Sequence, residues 1–387
     1  MPDPFITHFH QHGPPCVIAM TGGGVSALHA LLSVPGASRT VLEAVVPYAP
    51  PALDQWLGKA PDQYCSEATA LMMAAVAHRR ARHLAVAQKQ DPDAALGIGC
   101  TASLVSDRPK RGPHRVHVAV HSSRATAAWS LELEKGARER AGEDAVVGQL
   151  VLLGLGWGAQ FEKAVLPELP LRAGETVVRH EAHGAPLMVE LAQGQRNLVW
   201  SKGNVLSEQL ASPPVGILCG SFNPLHQAHK HLLEFAAHKL GGPVAYELSI
   251  RNADKPPLDF LTISRRVAQF GEAPLALTTA ATFNAKSRLL PNTTFVVGFD
   301  TAERIILPKY YGGGQEDLDR ALGELRQNNC RFLVMARAAE GKVRELADLH
   351  IPTEFANLFE GVPADEFRED LSSTELRKAS ESHATGT

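Results

Sequence analysis

Closely spaced cysteines are missing from this chain. Its five, Cys16, Cys65, Cys100, Cys219 and Cys330, are scattered over 387 residues. That pattern excludes both a disulfide framework and a Cys-x-x-Cys zinc cage, and leaves them as small core residues. There is no excess of basic charge either: 38 Lys and Arg against 41 Asp and Glu give a net charge of -3. Without a global positive field, DNA or another nucleic acid is not an expected partner. Long apolar runs are also absent, since residues 148–158 are too few and too rich in glycine to span a membrane. The N-terminus has prolines and histidines where a signal peptide has a basic and then an apolar region. A cytoplasmic protein that acts on small molecules is expected.

What the chain does have is length and ordinary hydrophobic content. At 387 residues, 44% of them hydrophobic, it exceeds what one core usually serves, and two domains with a small connecting module are expected. In the N-terminal part an apolar strand at 16–20 leads into Thr21-Gly22-Gly23-Gly24 and a helix at 25–32, which stops ahead of Pro35-Gly36. Strand, glycine turn and helix make either an anion nest or a tight turn with no ligand. A strand at 41–46 follows, then a helix at 66–88 with Ser66 as N-cap and Glu67 in its first turn. An apolar run at 94–99, a strand at 115–121 and a helix at 132–153 complete an α/β layer pattern.

The periodicity changes between about 166 and 214. Residues 175–180, 186–191 and 197–200 read as three short strands, separated by His183-Gly184-Ala185 and Gln193-Gly194-Gln195 turns, and so as a small antiparallel meander. His180 and His183 have no third ligand beside them and read as a solvated strand end. Ser212-Pro213-Pro214 marks the entry to the next domain. The expected organisation is therefore 1–160, a β-rich connector at 161–214, and 215–387.

The most informative stretch is Gly220-Ser221-Phe222-Asn223-Pro224-Leu225-His226-Gln227-Ala228-His229. It joins an apolar strand at 215–219 to a helix at 226–240 that Gly241-Gly242 stops. His226 and His229, at i and i+3, share one face of the first turn, where unpaired N–H groups and the helix dipole already favour phosphate. The chain has 17 histidines, and His231 and His238 lie in the same helix, so a chance pair on an exposed face is the competing explanation. A strand at 245–250 then enters the proline-fixed loop Arg251 to Leu258, at the end of a strand where open α/β sheets bind ligands. Lys255 is the cation of that loop, and Arg265 or Arg266 opens the next helix. A strand at 293–297 runs into Gly298-Phe299-Asp300-Thr301, with Asp300 available as the N-cap of a helix starting at Thr301. A helix at 316–327, a strand at 331–336 and a solvated helix at 337–348 follow. In Asp370-Leu371-Ser372-Ser373-Thr374-Glu375-Leu376-Arg377, Ser372 and Glu375 form a capping box; the same geometry exposes N–H groups and hydroxyls, with Arg377 one turn along to reach a phosphate.

These residues carry two resemblances. Gly220 to His229 is similar to the G-[ST]-F-[DN]-P-x-H-x-G-H signature of the nucleotidyltransferase superfamily that includes the nicotinamide or nicotinate mononucleotide adenylyltransferases, with Ala228 where that family has glycine. Residues 371–377 resemble its I-S-S-T-x-x-R motif, with Leu371 for isoleucine, and Gly298 and Asp300 resemble its Gly-x-Asp step. Residues 10–160 resemble, in order, the C-terminal domain of the competence-damage-inducible protein CinA, the nicotinamide mononucleotide amidohydrolase family, on Thr21-Gly22-Gly23, Val34 to Ser38, Val45-Val46-Pro47-Tyr48, Ser66-Glu67 and Gly97-Ile98-Gly99. There the chemistry departs: Ala19 stands at the family's serine nucleophile and Leu53 near its lysine base.

The resemblances imply an α/β protein whose CinA-like domain has kept the fold and a non-catalytic pocket around Thr21, Gly22, Gly23 and Tyr48. They imply a Rossmann-like C-terminal domain with a mostly parallel sheet. That domain would transfer a nucleotidyl group, with adenylyl transfer from ATP to nicotinamide or nicotinate mononucleotide as the expected reaction. Cytidylyl or adenylyl transfer to another phosphorylated acceptor, and a catalytically degenerate nucleotide sensor or scaffold, are the alternatives. His226, His229 and Arg377 are the implied catalytic residues. Gly220, Ser221, Phe222, Asn223, Lys255, Arg266, Gly298, Asp300, Ser372, Ser373 and Thr374 are the implied nucleotide contacts, with Mg²⁺ held by phosphate oxygens and water. A homo-oligomer is implied by both families.

Overall fold

The computed structural model describes residues 3–108, 111–203, 205–251, 256–339 and 342–367. Two compact units make up the chain, Met1–Val189 with Asp254–Ser264, and Glu190–Ala253 with Arg265–Thr387. Lys255, Ser372, Ser373, Thr374 and Arg377 lie outside the described residues.

The first unit opens with α1 (Pro4–His12), a helix not anticipated from the sequence, whose N-cap Asp3 accepts the Phe5 N–H at 2.8 Å. β1 (Cys16–Thr21), α2 (Val25–Ser33), β2 (Val41–Val45), α3 (Pro50–Leu57), α4 (Glu67–Ala87), β3 (Leu96–Ser103), β4 (His114–His121), β5 (Ala125–Leu133), α5 (Arg140–Gly158) and β6 (Val177–His183) follow. The sheet runs β2-β1-β3-β4-β5-β6. β2, β1 and β3 are parallel, and β4, β5 and β6 continue antiparallel. β1 is an unbroken apolar run because both of its faces are covered. One face carries α4, whose Ala70, Ala74, Ala77, Ala81 and Ala85 are buried. Gly97 and Gly99 let that helix press on the strand: a Cβ at Gly97 would stand 2.0 Å from the His78 backbone nitrogen, and one at Gly99 2.2 Å from the Ala70 oxygen. The other face packs Phe9, Ile18, Met20, Val118, Trp129 and Leu155 into the larger core.

Two expectations fail here. The helix expected at 132–153 begins only at Arg140, and Ala125–Leu133 is strand β5. Its alanines favour helix locally, but Ala128 is buried with Ala119 of β4 against Ala70 and Ala74 of α4, so packing overrides propensity. The three-stranded connector also dissolves. β6 pairs with β5, and residues 186–191 form helix α6 (Pro186–Gln193) instead of a strand, with a proline at the first helical position. The third predicted strand is β7 (Leu198–Lys202), which with β8 (Val205–Ser207) joins the other sheet.

That second sheet contains β9 (Gly216–Cys219), β10 (Val244–Ser249), β11 (Leu275–Thr278), β12 (Thr294–Gly298), β13 (Arg331–Met335) and, after the hairpin β14 (Arg337–Ala339) and β15 (Lys342–Arg344), β16 (Phe359–Val362). The helices are α7 (Gln227–Leu240), α8 (Phe260–Val267), α9 (Phe283–Leu289), α10 (Phe299–Ile305) and α11 (Gln315–Gln327). Strand order is β16-β13-β12-β9-β10-β11-β7-β8. Its six strands from β16 to β11 are parallel, with β7 antiparallel at the end of that run. This is a Rossmann-like, mostly parallel sheet. The solvated helix expected at 337–348 is instead the β14–β15 hairpin and a short 3₁₀ turn. From β9 the chain winds outward through β10 and β11, then returns to the other side of β9 through β12, β13 and β16. The carboxyl ends of β9 and β12 therefore flank the topological switch point, the place where such sheets leave a ligand crevice.

Candidate active site

Gly220 to His226 leaves the carboxyl end of β9 at this switch point. Gly220 donates its N–H to the Glu247 carbonyl on β10 at 3.1 Å, and a Cβ on it would lie 2.7 Å from the Phe222 ring. Phe222 adopts a left-handed φ of 43° and is 1% exposed. Its ring meets those of His229, Tyr246 and Phe270 edge-on, with centroids 5.0, 5.2 and 5.2 Å away. This aromatic anchor turns the flanking residues outward, so Ser221 and Asn223 are exposed. Arg266 reaches the loop through a guanidinium N–H to the Ser221 carbonyl at 3.1 Å. Gln269, which no sequence motif singles out, accepts the Leu225 N–H at 2.8 Å and donates to the Phe222 carbonyl at 3.4 Å.

His226 is the N-cap of α7 and His229 its third residue. The two imidazoles stack with centroids 3.7 Å apart and an interplanar angle of 28°. The His226 backbone N–H donates to His229 Nδ1 at 3.3 Å. A neutral imidazole accepting at Nδ1 carries its proton at Nε2, so His229 is fixed as an Nε2–H donor. Burial, and then the neighbouring His226, pull its pKa from 6.5 to about 4. The expected pair is thus brought together, as a stacked cap of the helix where phosphate binding is favoured.

At the end of the neighbouring strand β12, Gly298 is the exposed N-cap of α10. Asp300 sits in that helix's first turn, whereas the sequence offered it as the N-cap of a helix starting at Thr301; its carboxylate is paired with Arg337. A polar cleft of about 340 Å³ in the same unit is lined by Thr282, Asn284, Arg288, Tyr310, Tyr311 and Glu324 among others. Burial pushes the Tyr311 phenol up to about 12. The tyrosine pair gave no motif signal, because it lies in a short 3₁₀ connection without periodicity.

In the first unit a cleft of about 270 Å³ is lined by Thr21, Gly22, Tyr48, Tyr64, Thr101 and Arg140 among others. Gly23, expected with them, faces Leu104, and a Cβ there would come within 2.6 Å of it. The candidate anion nest is filled from within the chain: Gly24 and Ser26 donate their N–H groups to the Asp144 carboxylate at 2.7 and 3.0 Å. Arg140 donates to the Gly22 and Val105 carbonyls at 2.7 and 3.0 Å. Ala19 is fully buried, and Leu53 packs with it in one apolar cluster with Leu57, Met73 and Val76.

Residues 217–379 match the family described as Cytidylyltransferase-like. The C-terminal part of the chain thus carries a domain of the nucleotidyltransferase class, on the fold and loop described above. Solved structures similar to the chain include a competence/damage inducible protein, CihA, from Agrobacterium tumefaciens. It is 20% identical over 38% of this chain and 87% of that one, with a TM-score of 0.29. Another is a Competence-Damaged Protein (CinA) superfamily protein from Klebsiella pneumoniae, 15% identical over 41% of this chain and 92% of that one, also with a TM-score of 0.29. No curated protein matches the chain.

Proposed function

We propose that the chain transfers a nucleotidyl group from a nucleoside triphosphate to a phosphorylated acceptor, and that its preferred reaction is adenylyl transfer from ATP to nicotinamide or nicotinate mononucleotide. The observation that carries this reading is the stacked His226–His229 cap on the β9 loop at the switch point. In the reaction an oxygen of the acceptor phosphate attacks the α-phosphorus, the bond from that phosphorus to the bridging oxygen breaks, and pyrophosphate leaves. The acceptor phosphate is already an anion at pH 7, so no protein nucleophile or base is needed, and catalysis is positioning and charge stabilisation. His229, neutral and donating from Nε2, and His226 beside it would hold the transferring and bridging phosphates. Ser372, Ser373, Thr374 and Arg377 would hold the β- and γ-phosphates, and Lys255 with Arg266 would line the nucleotide cleft.

Among the described residues no group of three or more His, Cys, Asp or Glu side chains is placed to hold a metal ion. Mg²⁺ enters this reading bound by the triphosphate and water. The acceptor reading is supported by the resemblance of residues 220–229 and 298–300 to the adenylyltransferase pattern. In the N-terminal unit the positions of the amidohydrolase serine and lysine are filled by mutually packed Ala19 and Leu53, so that unit is assigned no hydrolysis.

Incubation with ATP or CTP, Mg²⁺ and a panel of phosphorylated acceptors, followed by mass analysis of the product, tests the assignment. A dinucleotide formed from ATP and a pyridine mononucleotide is the expected product. Turnover only with CTP and a phospho-alcohol would replace the acceptor, and nucleotide binding without pyrophosphate release would favour a sensor.

A further inference from the structure

Beneath the β9 loop lies a buried charged cluster that the reaction above does not use. Glu247 on β10 is fully buried, and it stands opposite Cys219, the last residue of β9. One carboxylate oxygen accepts the Thr278 hydroxyl of β11 at 2.5 Å, and the other accepts Lys286 Nζ of α9 at 2.7 Å. Lys286 is 8% exposed. Burial alone would lower its pKa, but the Cys219 thiol and the Glu247 carboxylate together hold it above the ordinary lysine value. The same Glu247 uses its backbone carbonyl to take the Gly220 N–H, the first hydrogen bond of the loop.

A buried ion pair is a poor source of stability, because desolvation offsets most of the attraction, and apolar residues of similar volume usually serve as well. It does fix geometry, since one carboxylate here ties β10 to β11 through Thr278 and to α9 through Lys286. Alternate residues of a strand face opposite sides. Tyr246, next to Glu247, packs on the Phe222 ring, so β10 meets the loop through the Tyr246 side chain on one face and through the Glu247 backbone carbonyl.

We infer that Glu247 and Lys286 are a positioning pair, holding the carboxyl end of β10 so that Gly220 starts the phosphate loop in its working conformation. This inference rests on the proposed reaction for its kinetic consequence but not for its structural one. The test compares wild type with Glu247→Gln/Lys286→Met, which removes both charges and leaves neither unpaired, and with Thr278→Val, a milder loss of one donor. Three quantities are measured on the full chain: thermal midpoint, hydrogen exchange at the Gly220 amide, and kcat and KM for pyrophosphate release.

The double variant is expected to exchange Gly220 at least tenfold faster and to lose at least tenfold in kcat, with the nucleotide KM within threefold. Thr278→Val is expected to shift both rates in the same direction by about threefold. Unchanged exchange at Gly220 in the double variant, or in Thr278→Val if the double variant does not fold, overturns the inference. If wild type releases no pyrophosphate, the reaction assignment fails, and Gly220 exchange alone then decides the positioning role: faster exchange supports it and unchanged exchange overturns it.

Discussion

His229 is held neutral from two sides: its Nδ1 takes the His226 N–H, and burial, then the neighbouring His226, disfavour its charged form. A neutral donor is the outcome. Replacing it by alanine removes one donor to developing phosphate charge, so kcat should fall by about 10² to 10³, as measured by pyrophosphate release; a rate within threefold of wild type would take His229 out of the mechanism. Ala228 is a different case. The residue is 5% exposed, so its methyl group does not project into an open crevice. Ala228→Gly is therefore expected to change kcat by less than about threefold and to lower stability by up to about 1 kcal/mol, the helix cost of glycine. A tenfold gain in rate would show instead that the methyl group obstructs the nucleotide. At this scale the sequence was informative where chemistry is local. The i,i+3 imidazoles and the glycine turn could be seen from spacing, whereas Gln269, Glu247 and Lys286 reach the loop or one another across at least 27 residues of sequence and left no local pattern.

Elements were legible where one signal dominated. Ser66 caps α4 by accepting the Thr69 N–H at 3.2 Å, as its position before Glu67 implied. β5 was not legible, since its alanines carry helix propensity and only the pairing with β4 and β6 reveals a strand. Helix α6 was mistaken for a strand for the converse reason: eight residues are too few for period to separate the two. The α4–β3 contact yields a sharp expectation. Gly97→Ala places a methyl group on backbone, not on a movable side chain, so it should destabilise the fold by about 3 kcal/mol, at or beyond the usual range for overpacking. A melting temperature equal to wild type would show that α4 can retreat at little cost. A second element, the turn after β5, is held by Arg138, which binds both oxygens of Glu175 at 2.5 and 2.8 Å. Chiefly through those hydrogen bonds the Glu175 carboxyl is lowered to about 2, so this contribution is complete above about pH 4.5 and is lost as pH falls towards 2.

The whole molecule adds the histidines of both units. His117, His121 and His229 are each lowered from 6.5 to about 4, chiefly by burial, and His78 is lowered well below its ordinary value for the same reason. An unfolded chain takes up protons at these rings between pH 6.5 and 4 that the folded chain refuses, so stability falls as pH drops through that window and is retained above it. Thermal midpoints should be flat from pH 7 to 8 and decline steadily from 6.5 to 4; a flat profile down to pH 4 would mean the buried rings are charged in the fold.

The fold class was legible in outline. Two α/β sheets followed from alternating elements, but the connector did not survive as a module, because its strands find better partners at the open edges of the two sheets. The most direct test of the central claim is pyrophosphate release by the full chain with ATP, Mg²⁺ and a pyridine mononucleotide, alongside His229→Ala. Stoichiometric pyrophosphate and dinucleotide from wild type, reduced at least 10²-fold in the variant, is the predicted result, and equal rates in the two proteins, or none in either with any triphosphate and acceptor, would contradict it.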